Sequence, residues 1–244
     1  MTVKTALSVK LTDFQDAMNG VEQNLVVTVD EAGNKFNSWV YFSNGMINFP
    51  TTLEDRATCE TDASLLQLLP YILMVDQNTG KAFGYHRGKA GGESKLVGKM
   101  SMGVGGHVEE AVRTPTTDKP ADEADLIHLL TEHAVREVVE EVGYTDSNAI
   151  HSQIFLQLSS GIPMVYQDTD PVGKFHLGLF LFVVVDRERF GQTEAGVIER
   201  GQWFDMPDPV LAEGDFFEGW TQVLIKLFKD AEVEGKKRRL AAMD

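Results

Sequence analysis

Arg136-Glu137-Val138-Val139-Glu140-Glu141-Val142-Gly143 is the stretch of this 244-residue chain on which the reading of the fold turns. A helix is expected from about Asp122 to Val142, stopped by Gly143 as its C-terminal cap. Its apolar stripe is Ile127, Leu130, Ala134, Val138 and Val142. With Ala134 set at zero, a rotation of ~100° per residue puts Val138 at about +40° and Glu141 at about −20°. Glu141 therefore falls inside the stripe that faces the core. Glu137, Glu140 and Glu141 together share an arc of about 100°.

Like charges at this spacing weaken a bare helix by roughly 0.2–0.5 kcal/mol per pair. A carboxylate directed inward costs more than that unless it is paired or bound to a metal. Arg136 can reach Glu140 one turn on, but one guanidinium cannot neutralise three carboxylates. A divalent cation comes closer, and hard oxygen donors suit Mg²⁺ or Mn²⁺. Most acidic helix faces are simply solvated. The inward angle of Glu141 and the Gly105-Gly106 turn upstream argue against that here. One turn earlier the same face carries His133, so no fourth carboxylate extends the group.

Working outward, Tyr71 to Val75 and Lys81 to Arg87 read as two strands joined by a turn at Gln77 to Gly80. Gly88 to Glu93 is a glycine-rich loop, and Met100 to Val104 leads into Gly105-Gly106. The two prolines between Glu109 and Pro120 suggest an exposed insertion. Gln153 to Leu158 and His176 to Val185 are expected as further strands, and Asp215 to Asp230 as a closing amphipathic helix. Before residue 67, Asn24 to Val29 and Ser38 to Phe42 are strand-like and Asn44-Gly45 is a good turn. Asp62 to Leu69 is expected as a short helix leading into Pro70. Strands mixed with two main helices indicate an α/β or α+β sandwich rather than a bundle.

Composition narrows the function. A hydrophobic fraction of 43% supports a sizeable core. No apolar run approaches the ~20 residues of a membrane span, and the first residues lack a secretion signal. The single cysteine, Cys59, excludes an intrachain disulfide, which fits a reducing cytoplasm; it reads most simply as a small buried hydrophobe. A net charge of −15 disfavours duplex nucleic acid as a partner. The basic run Lys236 to Arg239 reads as a solvated tail.

Gly106 followed by Arg136-Glu137-Val138-Val139-Glu140-Glu141-Val142-Gly143 resembles the Nudix box, whose pattern ends R-E-U-x-E-E-x-G-U with U apolar. The resemblance spans residues 56–212. Leu69-Pro70-Tyr71-Ile72, Tyr85-His86-Arg87 and Leu96 to His107 look like a bacterial and phage branch of predicted Nudix phosphoesterases. It implies a Nudix α/β/α sandwich with a mixed sheet. Residues 67–235 would form the hydrolase domain with an insertion at about 109–121, preceded by a β-rich accessory segment (1–66) and followed by a basic tail (236–244). The accessory segment would pack on that domain or on a second subunit, in a homodimer.

The resemblance implies metal-dependent hydrolysis of a pyrophosphate bond in a nucleoside-diphosphate-linked small molecule. Glu137, Glu140 and Glu141 would be ligands of Mg²⁺ or Mn²⁺, with the Gly105 carbonyl a further ligand. Arg136 would hold the glutamates by salt bridges, and Glu137 or a nearby carboxylate would orient the water. Glu199 is a candidate general base, with Glu194 equally placed. Arg87, His86 and His107 are candidate phosphate or substrate contacts. Phe83, Tyr85 and Trp203 could stack on a base, although core packing explains them more simply.

Two departures from the pattern stand out. The interval from Gly106 to Arg136 is about sixteen residues longer than the motif's. The family's first box glutamate falls at His128, so Glu109, Glu110, Asp122 or Asp125 would have to substitute for it. Tyr144 at the final apolar position is a milder departure. His128 keeps a second reading open, a non-catalytic nucleotide-binding regulatory module. An isopentenyl-diphosphate-isomerase-like enzyme would need a catalytic cysteine, and Cys59 lies far from the motif.

Overall fold

The computed structural model describes residues 4–43, 49–90, 94–109, 123–212 and 215–241, with only the backbone of 123–124 and 235–241. The Asn44-Gly45 turn, the end of the 88–93 loop, most of the 109–121 insertion and the side chains of the basic run lie outside the described residues.

Among the described residues, eleven strands form one mixed sheet. They are β1 (Thr5–Lys10), β2 (Glu22–Val29), β3 (Lys35–Phe42), β4 (Thr52–Asp55), β5 (Leu65–Asp76), β6 (Ala82–Arg87), β7 (Met100–Ser101), β8 (Gly103–Val104), β9 (Pro163–Gln167), β10 (His176–Val185) and β11 (Ile198–Phe204). The main path runs β11-β6-β5-β10-β9-β3-β2, with β1, β4, β7 and β8 paired off it. At its centre β5 and β10 run parallel over ten residue pairs, from His176↔Gln67 to Val185↔Asp76.

Five α-helices of the described residues accompany it: α1 (Leu11–Ala17), α2 (Arg56–Cys59), α3 (Glu123–Val142), α4 (Ser147–Ser160) and α5 (Gly219–Ala241). Period-two alternation assigns the two faces of the central strands. Leu68, Ile72 and Met74 of β5, with Leu177, Leu179, Leu181 and Val183 of β10, share a core with α3 and α4. Tyr71, Leu73 and Phe180 point the other way, against Val223 and Leu224 of α5. The result is an α/β/α sandwich with a mixed sheet, as expected.

The apolar stripe of α3 is buried throughout, from Ile127 to Val142. Gly143 ends the helix at φ +63°, in the left-handed region, with its N–H on the Val139 carbonyl at 3.0 Å.

Two expected elements are corrected. Asp62 to Leu69 is not a helix: Leu65 begins the 12-residue strand β5. Leu66 and Leu68 are fully buried, and β1 and β10 pair with this part of the strand. Gln153 to Leu158 is not a strand but the second half of α4. Ile150, Ile154 and Leu158 recur at four-residue steps and bury one helical face, and Asp146 caps the start by accepting from the Ala149 N–H. The closing helix starts at Gly219 rather than Asp215. Strands β9 and β11 were not anticipated.

The N-terminal strands continue the same sheet. β3 pairs with β9, and β1 pairs with β5, so main-chain ladders join them to the centre.

Candidate active site

The site forms where β6 leaves β5. The two strands share only the Val75↔Ala82 pair, and β8 fills the gap through Ile72↔Val104 and Leu73↔Gly103. That insertion presses Gly105 against the β5 backbone: a Cβ there would fall 1.9 Å from the Pro70 carbonyl oxygen. Gly106 faces α3 instead, where a Cβ would lie 2.7 Å from Glu137 Oε2. Glycine is required at 105, where the neighbour is backbone; at 106 the neighbour is the movable end of the Glu137 side chain.

Burial of the three glutamates follows their angle on α3. Glu141, nearest the centre of the stripe, is 8% exposed. Glu137 is half-buried and Glu140 is exposed. Glu141 Oε2 is buried with no hydrogen-bond partner among the described residues. Burial raises the carboxyl of Glu141 to about 8, helped by Glu137 and Glu194 and opposed by Arg87. Burial likewise raises Glu137 to about 7, opposed by Arg136 and reinforced by Glu140, Glu194 and Glu109.

These carboxylates crowd one another without enough positive charge between them. Hard oxygen donors, mutual repulsion and an orphaned buried oxygen are what a divalent cation would resolve. The donor set therefore fits such an ion. Among the described residues, however, no three His, Cys, Asp or Glu side chains already stand close enough to enclose one.

Arg136 does not grip the glutamates strongly. Its guanidinium is 3.9 Å from Glu137 Oε1 but 2.6 Å from His133 Nδ1. Since the guanidinium can only donate, His133 carries its proton on Nε2, which donates to the Gly106 carbonyl at 3.1 Å. The same nitrogen is 3.5 Å from Glu137 Oε1. His133 thus ties helix, glycine turn and carboxylate together, a role sequence reasoning missed.

Of the two base candidates, Glu194 is the nearer to the glutamates. Its N–H donates to the Glu141 carbonyl at 2.8 Å, and Gly191 N–H reaches the Val142 carbonyl at 3.2 Å. This loop thereby satisfies the otherwise unpaired carbonyls at the end of α3. Glu199 is exposed and lies beside Gly88, where a Cβ would sit 3.2 Å from Glu199 Oε1.

Arg87 and His107 line a cavity of about 210 Å³ next to Gly105 and Gly106. Arg87 NH1 lies 3.5 Å from Glu218 Oε2, and Glu218 holds the guanidinium charged despite its burial. Glu218 Oε1 is fixed by the Tyr71 and Ser101 hydroxyls, both at 2.7 Å. Nothing near Glu218 in the sequence signals this role; it comes from the segment ahead of α5.

His86 is separated from Arg87 by strand alternation. It is buried and lies 2.9 Å from Arg200 through Nδ1 and 3.3 Å from Asp215 through Nε2, away from the cavity wall. His107 Nε2 faces His176 Nε2 at 3.1 Å. His176 Nδ1 donates to the Val172 carbonyl at 2.8 Å, so the proton between the two rings belongs to His107. Burial and the neighbouring His176 push His107 down to about 2, so it is neutral.

His128 is exposed on α3, outside the glutamate group. Asp125 is half-buried near the start of the helix, and Glu110 and Asp122 lie outside the described residues. Phe83 and Tyr85 are buried, and Trp203 packs on Phe83 and Phe190 at 5.5 and 5.2 Å, so these rings belong to the core. Cys59 is fully buried, and its thiol is pushed up by that burial. No helix among the described residues is long and apolar enough to cross a membrane.

Comparison with known proteins agrees with this architecture. The chain superposes on the crystal structure of Tm1382, described as a "putative Nudix hydrolase", with a TM-score of 0.51 and 17% identity, over 92% of this chain and 100% of that one. The shared scaffold is the Nudix-like fold. The chain is also 25% identical over 179 residues to Protein YmaB of Bacillus subtilis (strain 168), covering 71% of this chain and 76% of that protein. No family model matches.

Proposed function

We propose that this protein is a divalent-metal-dependent hydrolase that cleaves a pyrophosphate bond in a nucleoside-diphosphate-linked small molecule, such as ADP-ribose, a dinucleotide or a nucleoside triphosphate. The observation that carries the reading is Glu141: its inward carboxylate, with an unpartnered buried oxygen, shares one turn of helix with half-buried Glu137 beside Gly106. Without a cation the buried carboxyl keeps its proton; a divalent ion would replace that proton and satisfy the orphaned oxygen.

In this reading Glu137, Glu140 and Glu141 would hold Mg²⁺ or Mn²⁺ with the Gly105 carbonyl. When bound, such an ion polarises the phosphoryl oxygens and acidifies a coordinated water. Glu137, Glu194 or Glu199 would orient the attacking water and take its proton. Arg87 binds the phosphates, His107 lines the same pocket with its one ring proton committed to His176, and Arg136 positions Glu137 through His133. The products are a phosphate monoester, such as a nucleoside monophosphate, and a second phosphate.

The test is product release from a nucleotide panel with Mg²⁺ and with Mn²⁺. Turnover should require the metal and be abolished in Glu140→Gln and Glu141→Gln. Undiminished turnover in both variants would overturn the metal assignment. A second reading, a non-catalytic nucleotide-binding module, is favoured by exposed His128 at the first box position and by the lack of a ready three-ligand cluster among the described residues. Nucleotide binding with no turnover across the panel would select it.

A further inference from the structure

A strand at the end of a sheet carries main-chain groups with no ladder partner. Folded proteins usually blunt such an edge with charge, proline, a bulge or short length. Two edges of this sheet follow that rule. β11 breaks its register between Glu199 and Gln202, where Arg200 stands at φ +46° beside the charged Glu199. β4 is four residues long and ends in Glu54-Asp55. β2 does neither. Among the described residues it pairs with β3 alone, in one unbroken register from Glu22↔Phe42 to Val29↔Lys35. Gln23 to Val29 holds no charge and no proline, in a chain where 24% of residues are charged.

Which main-chain groups of β2 stay open follows from Gln222 of α5. Its side chain accepts from the Val29 N–H at 3.0 Å and donates to the Val29 carbonyl at 2.8 Å. Val29 therefore turns its main chain away from β3, and alternation turns Val27, Leu25 and Gln23 the same way. Before Gln23, the Val21 N–H is held by the Met18 carbonyl at 3.1 Å. The open edge is thus Gln23, Leu25 and Val27, closed off at both ends. Its closed C-terminal end belongs to another surface: Thr28, Val29 and Asp30, with Phe36 of β3, wall the cavity lined by Arg87 and His107.

The side chains at the open positions are unusual for an edge. Leu25 is 49% and Val27 53% exposed, whereas Val26 and Thr28 are buried on the opposite face. Pairing with β3 sets Leu25 beside partly buried Trp39.

We propose that β2 pairs antiparallel with β2 of a second copy of this chain, about a two-fold axis through Leu25. The open positions are symmetric about that residue. Gln23, Leu25 and Val27 meet the partner's Val27, the partner's Leu25 and the partner's Gln23, and each pair exchanges two main-chain hydrogen bonds. Trp39, Leu25, the partner's Leu25 and the partner's Trp39 then form one apolar row across the junction. Neighbouring registers are worse. An axis at Val26 would use Val29, whose groups Gln222 already holds, and would set Glu22 against the partner's Asp30. An axis at Asn24 would use Val21, whose N–H is already bonded. With a net charge of −15 on each copy, this uncharged stretch is also where approach is least opposed. The pairing needs neither metal nor nucleotide and stands apart from the hydrolase reading.

The test is sedimentation equilibrium of the whole chain from about 1 μM to about 1 mM, without metal. A contact of this size should take the wild type from monomer to dimer within that range. Leu25→Lys and Leu25→Glu each set like charges across the axis and should weaken the dimer about tenfold or more. An equimolar mixture of the two should associate about fivefold or more tightly than either alone, because an axis through residue 25 brings Lys against Glu. Val27→Pro removes an outward N–H that β3 does not use, so it should weaken the dimer and spare the monomer. Melting temperature checks that each variant folds. The proposal is overturned if the wild type stays monomeric to about 1 mM, if the three variants dimerise as the wild type does, or if the mixture associates no better than its components.

Discussion

Glu137 Oε2 occupies the space where a side chain on Gly106 would begin, 2.7 Å from an ideal Cβ. The carboxylate and the glycine are therefore one unit, although 31 positions separate their numbers in the chain.

Gly106→Ala should leave the fold intact, because the atom it meets is the end of a side chain that can rotate. Metal affinity and turnover should fall about tenfold or more as Glu137 is displaced. Gly105→Ala differs in kind: its Cβ would fall 1.9 Å from the Pro70 carbonyl, and backbone cannot step aside. It should destabilise the protein by roughly 3 kcal/mol or more. Urea unfolding of the two variants, beside metal titrations, checks the contrast; equal stability losses would contradict it.

Stability of the metal-free protein should fall as pH rises from about 5 to 9. Glu137 and Glu141 have folded-state values of about 7 and about 8, above the ordinary 4.5. The folded state holds these protons more tightly, so their contribution is complete below pH 4.5 and lost as pH climbs through 7 and 8. Mg²⁺ competes for the same oxygens and should raise the melting temperature more at pH 9 than at pH 6. A pH-independent Mg²⁺ effect on melting would falsify this coupling.

Gln157 acts as a short substitute for a missing strand. Its amide accepts from the Phe182 N–H at 2.9 Å and donates to the Phe182 carbonyl at 2.5 Å; Gln153 does the same at Val184, at 2.8 and 3.0 Å. Here β10 has passed the end of its pairing with β9. Gln157→Leu should cost about 1–3 kcal/mol, seen as a lower urea midpoint, with metal binding unchanged.

Tyr71→Phe removes a hydroxyl that donates to Glu218 at 2.7 Å and lies 2.8 Å from the Thr221 hydroxyl. Roughly 1–3 kcal/mol of stability should be lost. Because Glu218 faces Arg87, KM for a phosphate substrate should rise more than kcat falls. An unchanged KM would separate this cluster from the phosphate contact.

Much of this architecture could be read along the chain. The helix ending at Gly143, the inward angle of Glu141 and the strands around Tyr71, Tyr85 and Leu179 were legible because each shows its own period or stop signal within a few residues. Gln153 to Leu158 misled because a short apolar segment satisfies either period until a core chooses one. Leu65 to Leu69 misled for the same reason, since strands on both sides decide that run.

What the sequence determined by itself was the helix with its three glutamates and the angle each takes, because rotation per residue is a local property of the backbone. Only the tertiary structure decided that Glu194 rather than Glu199 lies beside them, that His133 locks Gly106 to Glu137, and that Glu218 and the β2–β3 hairpin reach the same cavity. Those relations join residues tens to nearly two hundred positions apart. They are set by how strands register and faces bury, and no short stretch of sequence carries that information.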